Sequence, residues 1–319
     1  MEVVLSAPRG FCAGVVRAIN IVEIAIENFS TPVYVRHEIV HNKYVVDSLR
    51  AKGAVFVDEI AEVPNGATVI FSAHGVGPTV WETAKSRGLS IIDATCPLVT
   101  KVHLESIKYA KEGYSVIVIG HHGHPEVIGT LGQSPHASCL VSTSAEAELV
   151  QVDDPTKVVA LTQTTLSVED TWDIIGTLRR RFPDMVARND ICYATTNRQD
   201  SARAMARSVD LVLVIGAQNS SNCNRLREVA QQVGVPSHLI DDASLIDPAW
   251  LDGVERVGIT SGASTPESLV EAVIDRLKPD SVSTVQVVEE NVVFTLPKEL
   301  RELDGNKWAR QRTGDGVIR

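Results

Sequence analysis

No apolar run in this sequence is long enough to cross a bilayer. The most apolar stretches, such as Leu211 to Ala217, fall far short of the roughly 20 residues that about 30 Å of hydrocarbon requires. The N-terminus, MEVVLSAPRGFCAG, has no basic region ahead of an apolar segment, so no secretory signal is visible, and the expected location is cytoplasmic with no membrane partner. Basic charge is in deficit. Thirty Lys and Arg face 40 Asp and Glu, and the net charge of -10 disfavours holding nucleic acid or anionic lipid by bulk charge. An anionic ligand must therefore be gripped by local groups. There is no C-x-x-C pair for a linear zinc motif, no G-x-x-x-x-G-K-[ST] loop, and no G-x-G-x-x-G turn after the first strand, which makes a nucleotide a poor candidate for the main ligand. Five cysteines with no signal peptide argue against a disulfide framework and turn attention to metal ligation or catalysis.

What is present is a chain of 319 residues, 44% hydrophobic and 22% charged, the composition of a globular protein with room for a large core. Short apolar runs alternate with segments of helical period. Strands are expected at Val3–Ser6, Val33–Val35, Val55–Val57, Thr68–Ser72, Ile91–Ile92, Ser115–Ile119, Val158–Thr162, Leu211–Ile215, Leu239–Ile240 and Val257–Ile259. Helices are expected near 78–88, 97–112, 167–181, 198–207, 221–233 and 265–277. Such alternation indicates an α/β protein with parallel sheets built from βαβ units.

A loose internal repetition carries more. Cys12, Cys96 and Cys192 lie in Gly10-Phe11-Cys12-Ala13-Gly14, Asp93-Ala94-Thr95-Cys96-Pro97 and Asp190-Ile191-Cys192-Tyr193-Ala194, each between an expected strand and a helix start. Their separations are each about one small domain. The expected organisation is three small α/β domains around a central site, 1–96, 97–192 and 193–280, then a C-terminal extension, 281–319, in which Asn291–Phe294 would add a strand.

Three thiolates that converge in space suit an iron–sulfur cluster with one iron left open to substrate; the alternative is that each is a buried small hydrophobe. Placement beside Gly, Pro and polar neighbours tips the balance toward ligation, whereas Cys139, in Ser138-Cys139-Leu140-Val141, reads as core. His121-His122-Gly123-His124-Pro125-Glu126 is the densest titratable cluster. Pro125 suits a first helical position, which puts Glu126 in the first turn, where imidazole and carboxylate together can bind an oxyanion and move a proton. A solvated loop or an incidental metal site is the competing reading. Hydroxyl- and amide-rich loops recur at strand ends: Ser72-Ala73-His74-Gly75, Thr162-Gln163-Thr164-Thr165, Asn219-Ser220-Ser221-Asn222 and Thr260-Ser261-Gly262-Ala263-Ser264. Each alone reads as helix capping, with Ser264 or Thr265 expected to cap a helix before Pro266; as a set they suit a phosphate. A metal or oxygen sensor would use the thiols but leave these loops without work. A zinc-dependent hydrolase of phosphorylated substrates would instead use His121, His122, His124 and Glu126.

The longer motifs resemble one family. P-R-G-F-C-A-G-V at 8–15, Y-V-R-H-E-I-V-H-N at 34–42, F-S-A-H-G-V at 71–76, D-A-T-C-P-L-V-T-K-V-H at 93–103, G-H-P-E-V at 123–127, Q-T-T-L-S at 163–167, D-I-C-Y-A-T-T-N-R-Q at 190–199 and N-S-S-N at 219–222 are similar to the LytB/IspH family of 4-hydroxy-3-methylbut-2-enyl diphosphate reductases. The resemblance runs from about residue 2 to about 300. It implies a pseudo-threefold trefoil of α/β domains around one 4Fe-4S cluster, ligated by Cys12, Cys96 and Cys192 with one open iron site. It implies an allylic diphosphate substrate, reductively dehydrated to isopentenyl and dimethylallyl diphosphates, with electrons from a ferredoxin- or flavodoxin-type donor. Positions matching the diphosphate ligands are His41, His74, His124, Ser220, Ser221, Asn222 and Ser264; Thr164 matches the residue near the substrate hydroxyl and Glu126 the proton donor. His122 and Cys223 stand where the family is expected to carry smaller residues.

Overall fold

The computed structural model describes residues 1–301 and 303. In chain order it forms β1 (Glu2–Ala7), α1 (Ala13–Asn28), β2 (Val33–Arg36), α2 (Lys43–Ala51), β3 (Ala54–Val57), β4 (Thr68–Phe71), α3 (Pro78–Ser86), β5 (Ser90–Asp93) and α4 (Pro97–Lys111). The middle of the chain gives β6 (Ser115–Ile119), α5 (Pro125–Leu131), β7 (Ser138–Val141), α6 (Ser144–Leu149), β8 (Val158–Thr162), α7 (Val168–Arg181) and β9 (Val186–Ala187). Then come α8 (Tyr193–Ala206), β10 (Leu211–Ile215), α9 (Ser221–Gln232), β11 (Ser237–Ile240), β12 (Arg256–Ser261), α10 (Glu267–Leu277), β13 (Ser281–Gln286) and α11 (Lys298–Arg301). The expected α/β class is borne out, and every strand pairing is parallel.

Two compact units divide the chain. One comprises Met1–Ile19, Val40–Leu49 and the chain from Tyr193 onward; the other comprises Asn20–Ile39 and Arg50–Cys192. The first unit holds a five-stranded sheet, β11-β10-β12-β1-β13. Its central strands β1, β10 and β12 are buried on both faces, as parallel sheets covered by helices require. With side chains alternating across the sheet, Leu211, Leu213 and Ile215 pack with Val3, Val257 and Ile259 against α10. Val212 and Val214 pack with Val4 against Ala202 and Met205 of α8 and Leu226 and Val229 of α9. Each of the buried Val, Leu, Ile and Met side chains contributes about 1.5–3 kcal/mol. The second unit holds two four-stranded sheets, β3-β2-β4-β5 and β7-β6-β8-β9.

Three expectations need correction. The strands of the four-stranded sheets lie within 1–96 and 97–192, but β1 does not stay with its own span. It lies between β12 and β13, with Val3 opposite Val257 and Val282. A strand with both edges inside a sheet needs partners for its backbone N–H and C=O groups on both sides, and the chain beyond 280 supplies one of them. The expected strand at Asn291–Phe294 is irregular; beyond it, Leu296 and Leu300 are buried. Finally, the helix expected at 198–207 begins at Tyr193. Its buried face includes Thr195, Arg198, Gln199 and Ser201, so it has little apolar periodicity to read. The part of the expected extension from 304 to 319 lies outside the described residues.

Candidate active site

Each of the three cysteines stands one residue ahead of a helix: Cys12 before α1, Cys96 as N-cap of α4 with Pro97 in the first position, and Cys192 before α8. The Cys12 and Cys96 carbonyls accept the first helical hydrogen bonds, from Val16 N at 3.0 Å and Thr100 N at 2.9 Å. Each cysteine N–H donates to a strand-end loop of its own unit or sheet: Cys12 to Ala263 O (3.1 Å), Cys96 to Ala73 O and Cys192 to Thr164 O (both 3.0 Å). All three are half-buried, and none is in a disulfide. Cysteine sulfur is the usual protein ligand of iron–sulfur clusters, so three accessible thiols outside any disulfide are a donor set whose chemistry fits such a cluster. Cys12 belongs to the first unit, Cys96 and Cys192 to the second. Within neither unit do the described residues gather three His, Cys, Asp or Glu side chains that could hold a metal ion.

In the second unit, β8 and α5 bring Glu126 and Thr164 together. His124 is the N-cap of α5 and Pro125 its first residue, as the sequence predicts; His124 Nδ1 accepts from Glu126 N at 3.2 Å. Glu126 is 3% exposed. Thr164 N donates to Oε1 at 2.6 Å and Thr164 Oγ1 to Oε2 at 2.9 Å. Burial pushes this carboxyl up to about 7, against the pull of the two Thr164 bonds and with a further push from the charge of Asp190. Desolvation thus outweighs the helix dipole and the hydrogen bonds that favour the ionised form. His74, held through Nδ1 to Ser72 Oγ at 3.2 Å, sets its ring edge-on to that of His124 with centroids 5.8 Å apart. The zinc-hydrolase alternative loses its donor set, because His122 Nε2 pairs with the exposed Glu146 at 3.2 Å while Glu126 turns inward to Thr164.

The first unit holds the other anion-binding candidates. Ser221 opens α9, and Ser220 caps it, its Oγ accepting from Cys223 N at 3.4 Å. Asn222 is 4% exposed, and neither its Oδ1 nor its Nδ2 has a protein partner; the Ser261 hydroxyl is likewise buried and unpartnered. A buried amide left unpaired costs about 1–3 kcal/mol, so this loop carries polar capacity that a ligand can satisfy. Ser264 Oγ donates to His41 O at 2.9 Å, joining the two loops that carry those residues. The expected cap of α10 is different: Pro266 is the N-cap, and Thr265 Oγ1 donates to Ile215 O at 3.0 Å, tying its loop to the end of β10.

Three features of the packing are not visible in the hydrophobic periodicity. A Cβ at Gly216 or Gly262 would overlap Cys223 Sγ, so the loops after β10 and β12 close on that thiol. Burial raises it to about 11, which keeps it a neutral packing group. His103 lies under the His74 loop: a Cβ on Gly75 (φ +77°) would sit 2.7 Å from His103 Cε1. Burial lowers His103 to about 4, and its Nδ1 lies 3.2 Å from Gln133 Nε2. Third, Arg198 is buried in α8. His103 and Arg198 stand within the motifs at 93–103 and 190–199, but no local pattern shows that either is buried.

A family model described as LytB protein matches residues 3–278. The chain belongs to the LytB family. A relative named 4-hydroxy-3-methylbut-2-enyl diphosphate reductase, from Azoarcus sp. (strain BH72), is 56% identical over 306 residues, 94% of this chain and 98% of the relative. A reductase of the same name from Acinetobacter baylyi is 53% identical over 310 residues, with the same coverage of 94% and 98%. Among solved structures, the E-1-hydroxy-2-methyl-but-2-enyl-4-diphosphate reductase of Plasmodium falciparum superposes with a TM-score of 0.92 at 37% identity, covering 97% of this LytB chain and 99% of the other. A second, an (E)-4-hydroxy-3-methyl-but-2-enyl diphosphate reductase described as the terminal enzyme of the non-mevalonate pathway, gives a TM-score of 0.63 at 34% identity, covering 87% and 99%.

Proposed function

We propose that this chain is a 4-hydroxy-3-methylbut-2-enyl diphosphate reductase, taking the allylic diphosphate to isopentenyl and dimethylallyl diphosphates with two electrons, two protons and loss of water, at the end of the non-mevalonate route. The observation that carries this reading is identity above half, over nearly the whole chain, with reductases of that name. Cys12, Cys96 and Cys192 would hold one 4Fe-4S cluster, which when bound supplies electrons and an open Lewis-acidic iron for the substrate hydroxyl.

The chain's own groups bind, orient and protonate. Hydroxide is a poor leaving group, and a carboxyl held near 7 keeps a large protonated fraction at neutral pH, where an ordinary carboxyl would be almost fully ionised. Glu126 would give that proton, while Thr164, bonded to both carboxyl oxygens, fixes where it is presented. The diphosphate would be held by Asn222, whose amide lacks a protein partner, and by Ser220, Ser221, Ser264, His41, His74 and His124. These are hydroxyl, amide and imidazole groups, local donors in a chain whose net charge is -10. Binding energy from the remote diphosphate then positions the hydroxymethyl end. Electrons would come from a ferredoxin- or flavodoxin-type protein in the cytoplasm; among the described residues no helix is long and apolar enough to cross a membrane. The test is anaerobic turnover of the allylic diphosphate by reconstituted protein with a chemical reductant, followed by mass spectrometry. Both five-carbon diphosphates are expected, and their absence from iron-loaded protein would overturn the reading.

A further inference from the structure

Arg198 is 1% exposed, a charged side chain among the most deeply buried in the molecule. Its guanidinium does not face an open pocket. Nε and Nη2 both donate to Gly10 O, at 3.1 and 2.8 Å, and Nη2 reaches Phe11 O at 3.5 Å. Nη1 donates to Ala194 O at 3.0 Å and to both Glu290 oxygens, at 2.9 and 3.2 Å. Glu290 also accepts from Asn197 Nδ2 at 3.0 Å, and its side chain is 14% exposed. The charge is therefore neutralised inside the protein, so it offers nothing to an anionic ligand. What remains is a fork closed on the backbone two residues ahead of Cys12.

Other contacts hold the same loop. Gly10 has φ +67°, a conformation few other residues adopt. Cys12 N is bonded to Ala263 O, and Ala13 N donates to Tyr193 Oη at 3.4 Å. Tyr193 and Arg198 lie on α8, which begins directly after Cys192. One helix thus starts at one of the three cysteines and grips the loop of another. Glu290 comes from the irregular segment after β13, which is itself tied down by Arg17 Nε to Thr295 O at 2.8 Å.

We propose that Arg198 is a positioning residue for Cys12: its fork on the Gly10 carbonyl holds the Cys12 thiol ready for metal. The inference rests on the reading that Cys12 is a cluster ligand. A planar fork can hold one carbonyl through two donors, whereas the single ammonium of lysine cannot. Arg198→Lys keeps the pairing with Glu290 and loses the fork; Glu290→Gln keeps the fork and loses the counter-charge.

The test is iron release to a chelator from anaerobically prepared holoprotein, with thiol labelling of Cys223 followed in the same samples. Cys223 is buried in the core of the same unit, so its labelling reports general loosening. Arg198→Lys and Arg198→Met should release iron faster than the parent, by about the 10–100-fold that losing a group orienting a metal ligand takes from metal affinity. Glu290→Gln should stay near the parent rate, and Cys223 labelling should not change in Arg198→Lys. If Arg198→Met does not fold, the Lys and Gln variants decide. Parent-like iron release from Arg198→Lys, or Cys223 labelling that rises in step with release, would overturn the positioning role alone. A parent protein that binds no iron would overturn the cluster reading and this inference with it.

Discussion

Glu126 offers the sharpest test, because its burial has consequences of known sign. Raising a carboxyl from its ordinary 4.5 to about 7 makes its ionised form harder to hold in the folded protein by about 3 kcal/mol. Below pH 4.5 the group is neutral in folded and unfolded chains alike and costs nothing. As pH rises from there the unfolded chain releases the proton first, so stability falls until about pH 7 and levels off above it. For catalysis the same equilibrium fixes the supply of acid: turnover should be nearly full at pH 6 and fall about tenfold by pH 8, as a single protonated group is lost. Glu126→Gln keeps the shape and much of the hydrogen bonding with Thr164 but has no proton to give. Anaerobic, reductant-saturated assays should find it slower by about 10²–10⁴-fold, with the alkaline limb near pH 7 gone and iron content and visible spectrum unchanged. Difference infrared titration of the substrate-free parent should show a carboxyl band, absent from the variant, that disappears near pH 7. Near-parent turnover by the variant, or survival of the limb in it, would refute the argument and leave His124 or Thr164 as the proton source.

Three further outcomes are expected. Cys12→Ser, Cys96→Ser or Cys192→Ser should strip most bound iron, whereas Cys139→Ser and Cys223→Ser should keep it; iron analysis of anaerobic preparations checks this, and full iron in Cys96→Ser would contradict the ligand set. Asn222→Ala should raise KM for the diphosphate without lowering thermal stability, because the amide it removes has no protein partner; a large drop in Tm would mean that Asn222 is structural. Gly75→Ala and Gly123→Ala both put a side chain at positive φ, but only the first meets a neighbour, His103. Isothermal titration with inorganic diphosphate should therefore find binding weakened far more in Gly75→Ala than in Gly123→Ala.

The parallel strands are legible in the sequence because a strand covered on both faces is a short apolar run; β10, five buried residues long, is the clearest case. What periodicity misses lies where burial is polar. The helix α8 carries Arg198, Gln199 and Ser201 inside, so its first turn, the one that follows Cys192, has no apolar stripe to announce it. The partner of β1 is missed for another reason. Ser281–Gln286 is mostly exposed, and only a long-range pairing, which no local pattern encodes, makes it a strand. At the site, residue types and local spacing identify Glu126 as a helix-opening acid. Its elevated proton affinity depends on how completely α5 and β8 exclude water, which is a property of packing.

The loose repetition of cysteines has a physical counterpart in the backbone. At each of the three junctions the cysteine N–H is satisfied by the carbonyl of a neighbouring strand-end loop: Ala263, Ala73 or Thr164. Each loop also presents a side chain proposed to bind or orient substrate: Ser264 and His74 follow the bonded residue, and Thr164 is itself that residue. A buried N–H must find a partner, and the bond that meets this need at a thiol also fixes the height of the adjacent loop. Movement of a cysteine therefore drags one of these proposed substrate-binding residues with it. This explains how residues far apart in sequence keep their relation to one another without a shared helix or strand, and why a change such as Gly75→Ala, which touches no ligand directly, should act at two removes: on His74 through its loop and on Cys96 through the Ala73 carbonyl.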